Sequence, residues 1–423
     1  MGSRLIYLVL IIFSLFLLVT GAVLSSFSEI IEGLRTIITS ESTLITDYFA
    51  IAGPGAALIN SAIVTLISIA LLYFSREPAR GSTLMTIGCM AGFSLFGKNF
   101  VNIWPIIIGN WLYALCHREH FLKHTQVALL STALSPLVGF MALREGASAE
   151  HLLMALFAGL AIGFVMPPLA NYTYRIHNGM NIYNTGFAAG LLAMILVPIV
   201  TAFGAAPESA YYWSTEYHNQ TLIYLLVLLL VLLVMPFLLD RRVLSSYRKL
   251  VLSRGHLPND YLEKFGAPAV MLNTALCGGI GLAYILITGG VLNGATLGSL
   301  FVIMGCSAFG KNPRNIIPIM AGVMVGGYLN TWPINAPAPL IAGLLCTTLA
   351  PITDYFGTVV GMFAGFLHSS VVLYAGSPLA GLNLYNNGFS AGLVATVLYP
   401  VLTRFLKHHR AKFETRDFLE TSK

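Results

Sequence analysis

Phe96-Gly97-Lys98-Asn99, with Asn102 and Pro105 behind it, returns as Phe309-Gly310-Lys311-Asn312, with Asn315 and Pro318 behind it. Lysine is costly inside an apolar protein, so two lysines in matching apolar contexts point to one element used twice. The match extends outward at the same offset of 213 positions. Asp47-Tyr48 answers to Asp260-Tyr261, Asn60 to Asn273, and Gly81-Ser82-Thr83-Leu84 to Gly294-Ala295-Thr296-Leu297. Further on, Leu129-Leu-Ser-Thr-Ala-Leu-Ser-Pro136 matches Leu344-Leu-Cys-Thr-Thr-Leu-Ala-Pro351. Last, Gly179-Met-Asn-Ile-Tyr-Asn-Thr-Gly186 matches Gly381-Leu-Asn-Leu-Tyr-Asn-Asn-Gly388, and the likeness runs on to Gly190 and Gly392. Such self-similarity reads as a chain built from two copies of one unit.

Hydrophobic residues make up 57% of the 423, and charged residues only 9%. A water-soluble domain carries roughly a quarter charged residues. Residues 222–239, LIYLLVLLLVLLVMPFLL, hold no charge, and residues 5–27 are similar. Each run is long enough to cross a hydrocarbon core of about 30 Å. The class expected is therefore an all-α integral membrane protein. Arg4 before the first run also suits a signal peptide, but the long apolar stretch and the spans that follow favour a retained helix. The net charge of +6 fits basic loops that face the cytoplasm and orient the chain, rather than nucleic acid. All five cysteines lie in or near apolar stretches without metal spacing and read as small buried hydrophobes.

Apolar segmentation gives about 14 transmembrane helices. Two short ones, residues 82–96 and 295–309, are open to being re-entrant. Residues 1–205 form a first repeat. Residues 206–256 hold a linking loop, the first helix of the second repeat and a basic cytoplasmic loop. Residues 257–405 complete the second repeat, and residues 406–423 are a basic cytoplasmic tail. With the N-terminus in the cytoplasm of a cell-membrane protein, the basic loops at 76–80, 117–124 and 241–254 and the C-terminal tail fall inside. The acidic loops at 28–49 and 204–220 fall outside, as the positive-inside rule asks. About seven spans per repeat is odd, so the second copy enters from the opposite side. That is an inverted-topology repeat, whose binding site is expected between the halves, where short or broken helices meet.

Two repeated elements carry the candidate site. The first is Lys98, Asn99 and Asn102 with Lys311, Asn312 and Asn315. Lysines at helix ends can simply snorkel to headgroups. Here each has asparagines at i+1 and i+4 and then a proline that frees a carbonyl, a polar arrangement tolerated where it is buried or lines a cavity. The second is Asn181, Tyr183 and Asn184 with Asn383, Tyr385 and Asn386. The glycines around them suit close helix packing, whereas the amides and hydroxyls at a helix start suit an anionic or carbonyl-bearing solute. These twelve residues are the expected substrate-binding set.

Asp354 and His368 occur in one half only and are candidates for a proton or ion site. His117, His120 and His124 lie in a basic loop near Glu119 and form no ligand set. No nucleotide loop, zinc motif or nucleophile elbow occurs, and no cofactor is expected. The function expected is an integral membrane transporter or channel for a small polar or anionic solute. The alternatives are an intramembrane enzyme on a lipid-linked substrate, with Asp354 or His368 catalytic, or a scaffold without flux. Partners are the lipid bilayer and a small-molecule solute, with a coupling ion (proton or sodium) and a homo-oligomer left open, and no nucleic acid.

These motifs resemble an uncharacterised bacterial family of multi-pass membrane proteins, known only as a domain of unknown function; that resemblance covers nearly the whole chain and implies no substrate. A weaker likeness is to the urea-channel family, whose halves are also inverted repeats. It rests on Tyr183-Asn184-Thr185-Gly186 and Tyr385-Asn386-Asn387-Gly388, which hold one extra residue before the glycine. That family's Leu-Pro-x-x-Thr-x-Pro-Phe signature does not occur.

Overall fold

The computed structural model describes residues 2–253, 259–329 and 332–405. The expected tail at 406–423, and Arg254 of the basic loop, lie outside the described residues. The architecture is helical. The first half runs α1 (Ser3–Leu24), α2 (Phe27–Ile38), α3 (Tyr48–Phe74), α4 (Gly81–Phe93), α5 (Trp104–Cys116), α6 (Thr125–Ser131), α7 (Ser135–Leu143), α8 (Ala149–His177) and α9 (Asn184–Ala202). The second runs α10 (His218–Leu239), α11 (Val243–Leu252), α12 (Tyr261–Ile287), α13 (Gly294–Cys306), α14 (Pro313–Leu329), α15 (Pro337–Leu345), α16 (Ala350–Phe356), α17 (Thr358–Ala375) and α18 (Asn386–Phe405).

Corresponding helices carry the same irregularities. α3 and α12 each have 27 residues and each breaks at a glycine with positive φ, Gly53 at 75° and Gly266 at 80°. α4 and α13 each have 13 residues. Among the described residues ten helical stretches, not fourteen, are long and apolar enough to cross a bilayer, counting α6–α7 and α15–α16 as one each. The difference lies in the stretches around the two lysines. At 1.5 Å per residue, α4, α5 and α13, of 13 residues each, cover roughly 20 Å and α14, of 17 residues, roughly 25 Å, short of a core of about 30 Å.

Contacts at its mouth show what the first short pair does. Gln126 Nε2, at the start of α6, donates to Ser82 Oγ at the start of α4 and to Glu77 Oε1, both at 3.1 Å. At the end of α5 the Tyr113 ring meets His124, 5.3 Å between centroids. His124 pairs with Glu119 at 2.6 Å, a bond that holds this exposed carboxyl below the usual range. The beginning of α4 and the end of α5 therefore lie at one end of the molecule, with Lys98 at the tip of the hairpin between them. In the second half, Gly289 before α13 lies beside Asn335, and Gly327 near the end of α14 packs against Ile334, giving the same hairpin around Lys311.

Each tip lies beside the mouth of the other hairpin because α4 and α13 pack antiparallel through glycine, Gly81 against Ala308 and Gly294 against Leu95. A Cβ on Gly88 would fall 2.7 Å from the Gly305 Cα, and one on Gly92 2.3 Å from the Gly298 carbonyl oxygen. Only residues without side chains allow two backbones so close. The ends are tied by an exchange of caps. Asp260, which caps α12, accepts from Gly81 N at 2.8 Å, at the start of α4. Asp47, which caps α3, accepts from Gly294 N at the start of α13 and from Ser214 N at 3.0 Å. A carboxylate at a helix start meets free N–H groups and the positive end of the helix dipole, so each half closes an end that belongs to the other.

Candidate functional site

Each hairpin tip is built by its own asparagines. Asn99 Oδ1 accepts from Val101 N at 3.0 Å and Asn102 N at 2.8 Å, and Asn102 Oδ1 accepts from Asn99 N at 2.9 Å. Asn312 and Asn315 repeat this, with Asn312 N to Asn315 Oδ1 at 2.9 Å. The remaining amide donors find Gly97 O from Asn102, Ile37 O from Asn99, Tyr261 Oη from Asn312, and Gly310 O and Asp354 from Asn315. These are turns in which a side chain replaces a backbone partner. Gly97 and Gly310 hold φ of 111° and 98°, the left-handed region open to glycine. Asn60 Nδ2 then bonds Ser94 O and Lys98 O at 2.7 and 2.9 Å, and Asn273 Nδ2 bonds Ser307 O and Lys311 O at 2.8 and 2.7 Å. One buried amide per half thus satisfies carbonyls left open where a helix ends and turns. Pro105 opens no carbonyl. It stands in the first turn of α5, where the N–H it lacks would have had no helical partner.

The lysines so placed are fully buried and reach into the opposite half. Lys98 Nζ donates to Tyr385 Oη at 2.7 Å and lies 4.6 Å from that ring's centre. Lys311 Nζ donates to Tyr183 Oη at 2.5 Å and to Thr347 Oγ1 at 2.8 Å, 4.4 Å from the Tyr183 ring centre. Neither pairs with a carboxylate among the described residues. Hydroxyl oxygens, aromatic faces and the carbonyl ends of α4 and α13 offset the loss of hydration. Snorkelling to a headgroup does not describe these lysines.

The tyrosines come from the second repeated element, which crosses its own counterpart. A Cβ on Gly186 would fall 2.7 Å from Tyr385 Cβ, and one on Gly388 2.9 Å from Tyr183 Cβ. The Phe187 and Phe389 rings stack beyond them, 6.3 Å apart. Four of the expected residues, Lys98, Lys311, Tyr183 and Tyr385, therefore gather at one centre, with Thr347, Met90, Cys89 and Cys306 beside them. The sequence alone assigns none of these last four to the site. Cys89 and Cys306 are not equivalent under the repeat, and only the crossing of α4 and α13 brings their thiols together.

Asp354 accepts from Asn315 Nδ2 at 2.6 Å, and His368, buried, faces Asn387 Oδ1 at 3.1 Å. Both thus support repeated asparagine elements. Two cavities touch the centre's elements. One, about 20 Å³, lies against Cys89, Tyr183 and Tyr385 and has room for a single water. The other, about 410 Å³, opens beside Leu44, Ile45 and Ser209–Tyr211 and reaches Phe96, Asn383 and Asn386.

Among the described residues, ten helical stretches long and apolar enough to cross a bilayer, around a buried polar centre, define a multi-pass helical membrane protein. The family described as "Protein of unknown function (DUF1576)" matches residues 26–202 and 239–404, and the chain belongs to that family. No curated protein and no solved structure matches, and nothing in these comparisons carries the urea-channel likeness.

Proposed function

We propose that the protein is a transporter or channel for a small polar solute, formed by two halves inserted in the bilayer with opposite topology. The observation that carries the reading is the exchange at the centre, where each half's lysine is held by the other half's tyrosine. A scaffold has no need of two desolvated ammonium groups, each costing several kcal/mol after relaxation. A path whose two sides must be joined and parted has a use for polar contacts that can be exchanged for contacts to a solute. The antiparallel α4 and α13 support opposite insertion, because their hairpins then open toward opposite membrane faces and lie side by side across the middle.

Lys98, Lys311, Tyr183 and Tyr385 form the constriction in this reading. Asn99, Asn102, Asn312 and Asn315 shape the tips that carry the lysines, and Asn181, Asn184, Asn383 and Asn386 belong to the approaches on either side. An anionic solute is accommodated by the two ammonium groups once it displaces the tyrosine hydroxyls. The test is solute-induced volume change in proteoliposomes holding the parent, Lys98→Met or Lys311→Met. Loss of solute permeability above the empty-vesicle background in both variants is expected. Permeability unchanged in both would remove the lysines from the path.

A further inference from the structure

The two tyrosine–asparagine helix starts match in sequence but not in how their amides are met. In the first copy every amide atom is paired within the protein. Asn181 Oδ1 accepts from Thr348 Oγ1 at 2.6 Å, and its Nδ2 donates to Gly388 O at 2.9 Å. Asn184 Oδ1 accepts from Thr173 Oγ1 at 2.9 Å and faces His177 Nε2 at 3.0 Å, and its Nδ2 donates to Ala170 O at 2.8 Å. In the second copy Asn386 Nδ2 keeps the equivalent bond, to Val372 O at 3.2 Å, and Asn383 Oδ1 accepts from Tyr385 N at 3.1 Å. Asn383 Nδ2 and Asn386 Oδ1 have no partner among the described residues, although both atoms are buried and Asn383 is only 1% exposed.

Asn383 Nδ2 lacks a counterpart of the bond from Asn181 Nδ2 to Gly388 O. The other losses are written in the sequence. Leu384 N bonds Ala133 O as Ile182 N bonds Thr348 O, both at 3.0 Å, so Ala133 stands where the first copy has the Thr348 hydroxyl that donates to Asn181 Oδ1. At the repeat offset of this region, Thr173 and His177 become Ala375 and Leu379. Three polar partners are thus absent around one copy only, and that copy lines the 410 Å³ cavity. A buried amide atom left unmet is destabilising, and here one donor and one acceptor are left three residues apart in sequence beside a space of small-molecule size. Among the described residues no Asp, Glu, Lys, Arg or His lines that cavity; its other walls include Leu44, Phe96 and Ile341.

We infer that Asn383 and Asn386 form a binding site for a small uncharged solute that presents a hydrogen-bond acceptor and a donor side by side, a primary carboxamide being the simplest case. The carbonyl of the solute takes the Asn383 Nδ2 proton, and its N–H donates to Asn386 Oδ1. A carboxylate meets no cation there and no partner at Asn386 Oδ1. The site deepens the proposed function and rests on that reading for its role in transport, though not for binding itself.

The test is equilibrium binding of radiolabelled acetamide to the full chain in lipid nanodiscs, with N,N-dimethylacetamide and acetate as competitors. Displacement by unlabelled acetamide, and by neither competitor, is expected. The double variant Ala375→Thr/Leu379→His gives Asn386 the partners Asn184 has, and is expected to weaken binding at least tenfold without lowering the melting temperature. Asn386→Leu, which removes the acceptor outright, carries the same binding expectation should the double variant not fold. Absence of acetamide binding to the parent, equal competition by acetate, or unchanged affinity in a folded variant would overturn the site. Acetamide flux in proteoliposomes is read separately. Binding without flux overturns the transport reading and leaves the site standing, whereas flux with binding that ignores these variants overturns the site and leaves transport.

Discussion

Tyr385 and Tyr183 hold equivalent lysines but not equally. Lys98 has one hydroxyl, Tyr385 Oη, with Met90 Sδ at 3.4 Å, whereas Lys311 has both Tyr183 Oη and Thr347 Oγ1. Removing a hydroxyl from a buried charged donor costs about 1–3 kcal/mol when nothing replaces it. Tyr385→Phe is therefore expected to lower the melting temperature in detergent more than Tyr183→Phe, since Thr347 still serves Lys311. Equal shifts would mean that Thr347 does not share the load. Lys98→Met keeps the length of the side chain and removes the need to desolvate an ammonium, so it is expected to leave stability unchanged or raised. Together with lost permeability, that result would separate a functional lysine from a structural one, for which both fall together. At this scale the sequence is informative about which residues matter and silent about their partners. The lysines, tyrosines and asparagines stand out by recurrence. The bond from each lysine to the other half's tyrosine crosses more than a hundred positions and depends on tertiary contact.

The hairpins of α4–α5 and α13–α14 are held by few, identifiable contacts. Asn60 and Asn273 each bridge two carbonyls at a helix end, and replacement by Ala leaves both buried and unmet. Asn60→Ala and Asn273→Ala are each expected to destabilise the protein by roughly 2–4 kcal/mol, read from denaturant or thermal unfolding in detergent. An effect below about 0.5 kcal/mol, the usual range for sites without such contacts, would show that the tips keep their shape unaided. Gly88→Ala tests the crossing itself. Its new methyl would stand 2.7 Å from a backbone carbon of Gly305, which has no side chain to yield. Overpacking of this kind typically costs about 1–3 kcal/mol, so poor yield of folded protein is expected, while Gly279→Ala, open on the same measure, should be silent. Apolar segmentation yields fourteen spans where ten helical stretches among the described residues are long and apolar enough, because hydropathy records apolar character and not direction. Residues 82–96 are apolar because they are buried in protein, residues 101–116 also present an exposed apolar stripe at Val101, Trp104, Ile108, Trp111 and Leu115, and a helix that turns back has the same composition as one that crosses. The asparagines are ambiguous in the sequence for a related reason, since an amide that closes its own turn and an amide left unmet are the same letter.

At the scale of the whole molecule, the halves are related by exchange: caps, tyrosines and glycine contacts all cross between them, and the duplicated motifs make the pairing of the halves legible in the chain itself. Opposite insertion is the part the motifs alone only suggest, and it has a direct consequence. The mouth of the first hairpin, at residues 117–124, and the mouth of the second, before α15, should be reached from opposite faces of the membrane. Lys123 and Asn335 are exposed at these two places. In a Cys116→Ser background, which removes the exposed native thiol, Lys123→Cys and Asn335→Cys are to be labelled with a membrane-impermeant maleimide in intact cells and in inverted vesicles. Labelling of one in each preparation is expected, with Lys123→Cys, in the basic loop, on the cytoplasmic side. Labelling of both from the same side would end the inverted arrangement, and with it the argument that the two lysines approach one constriction from opposite faces.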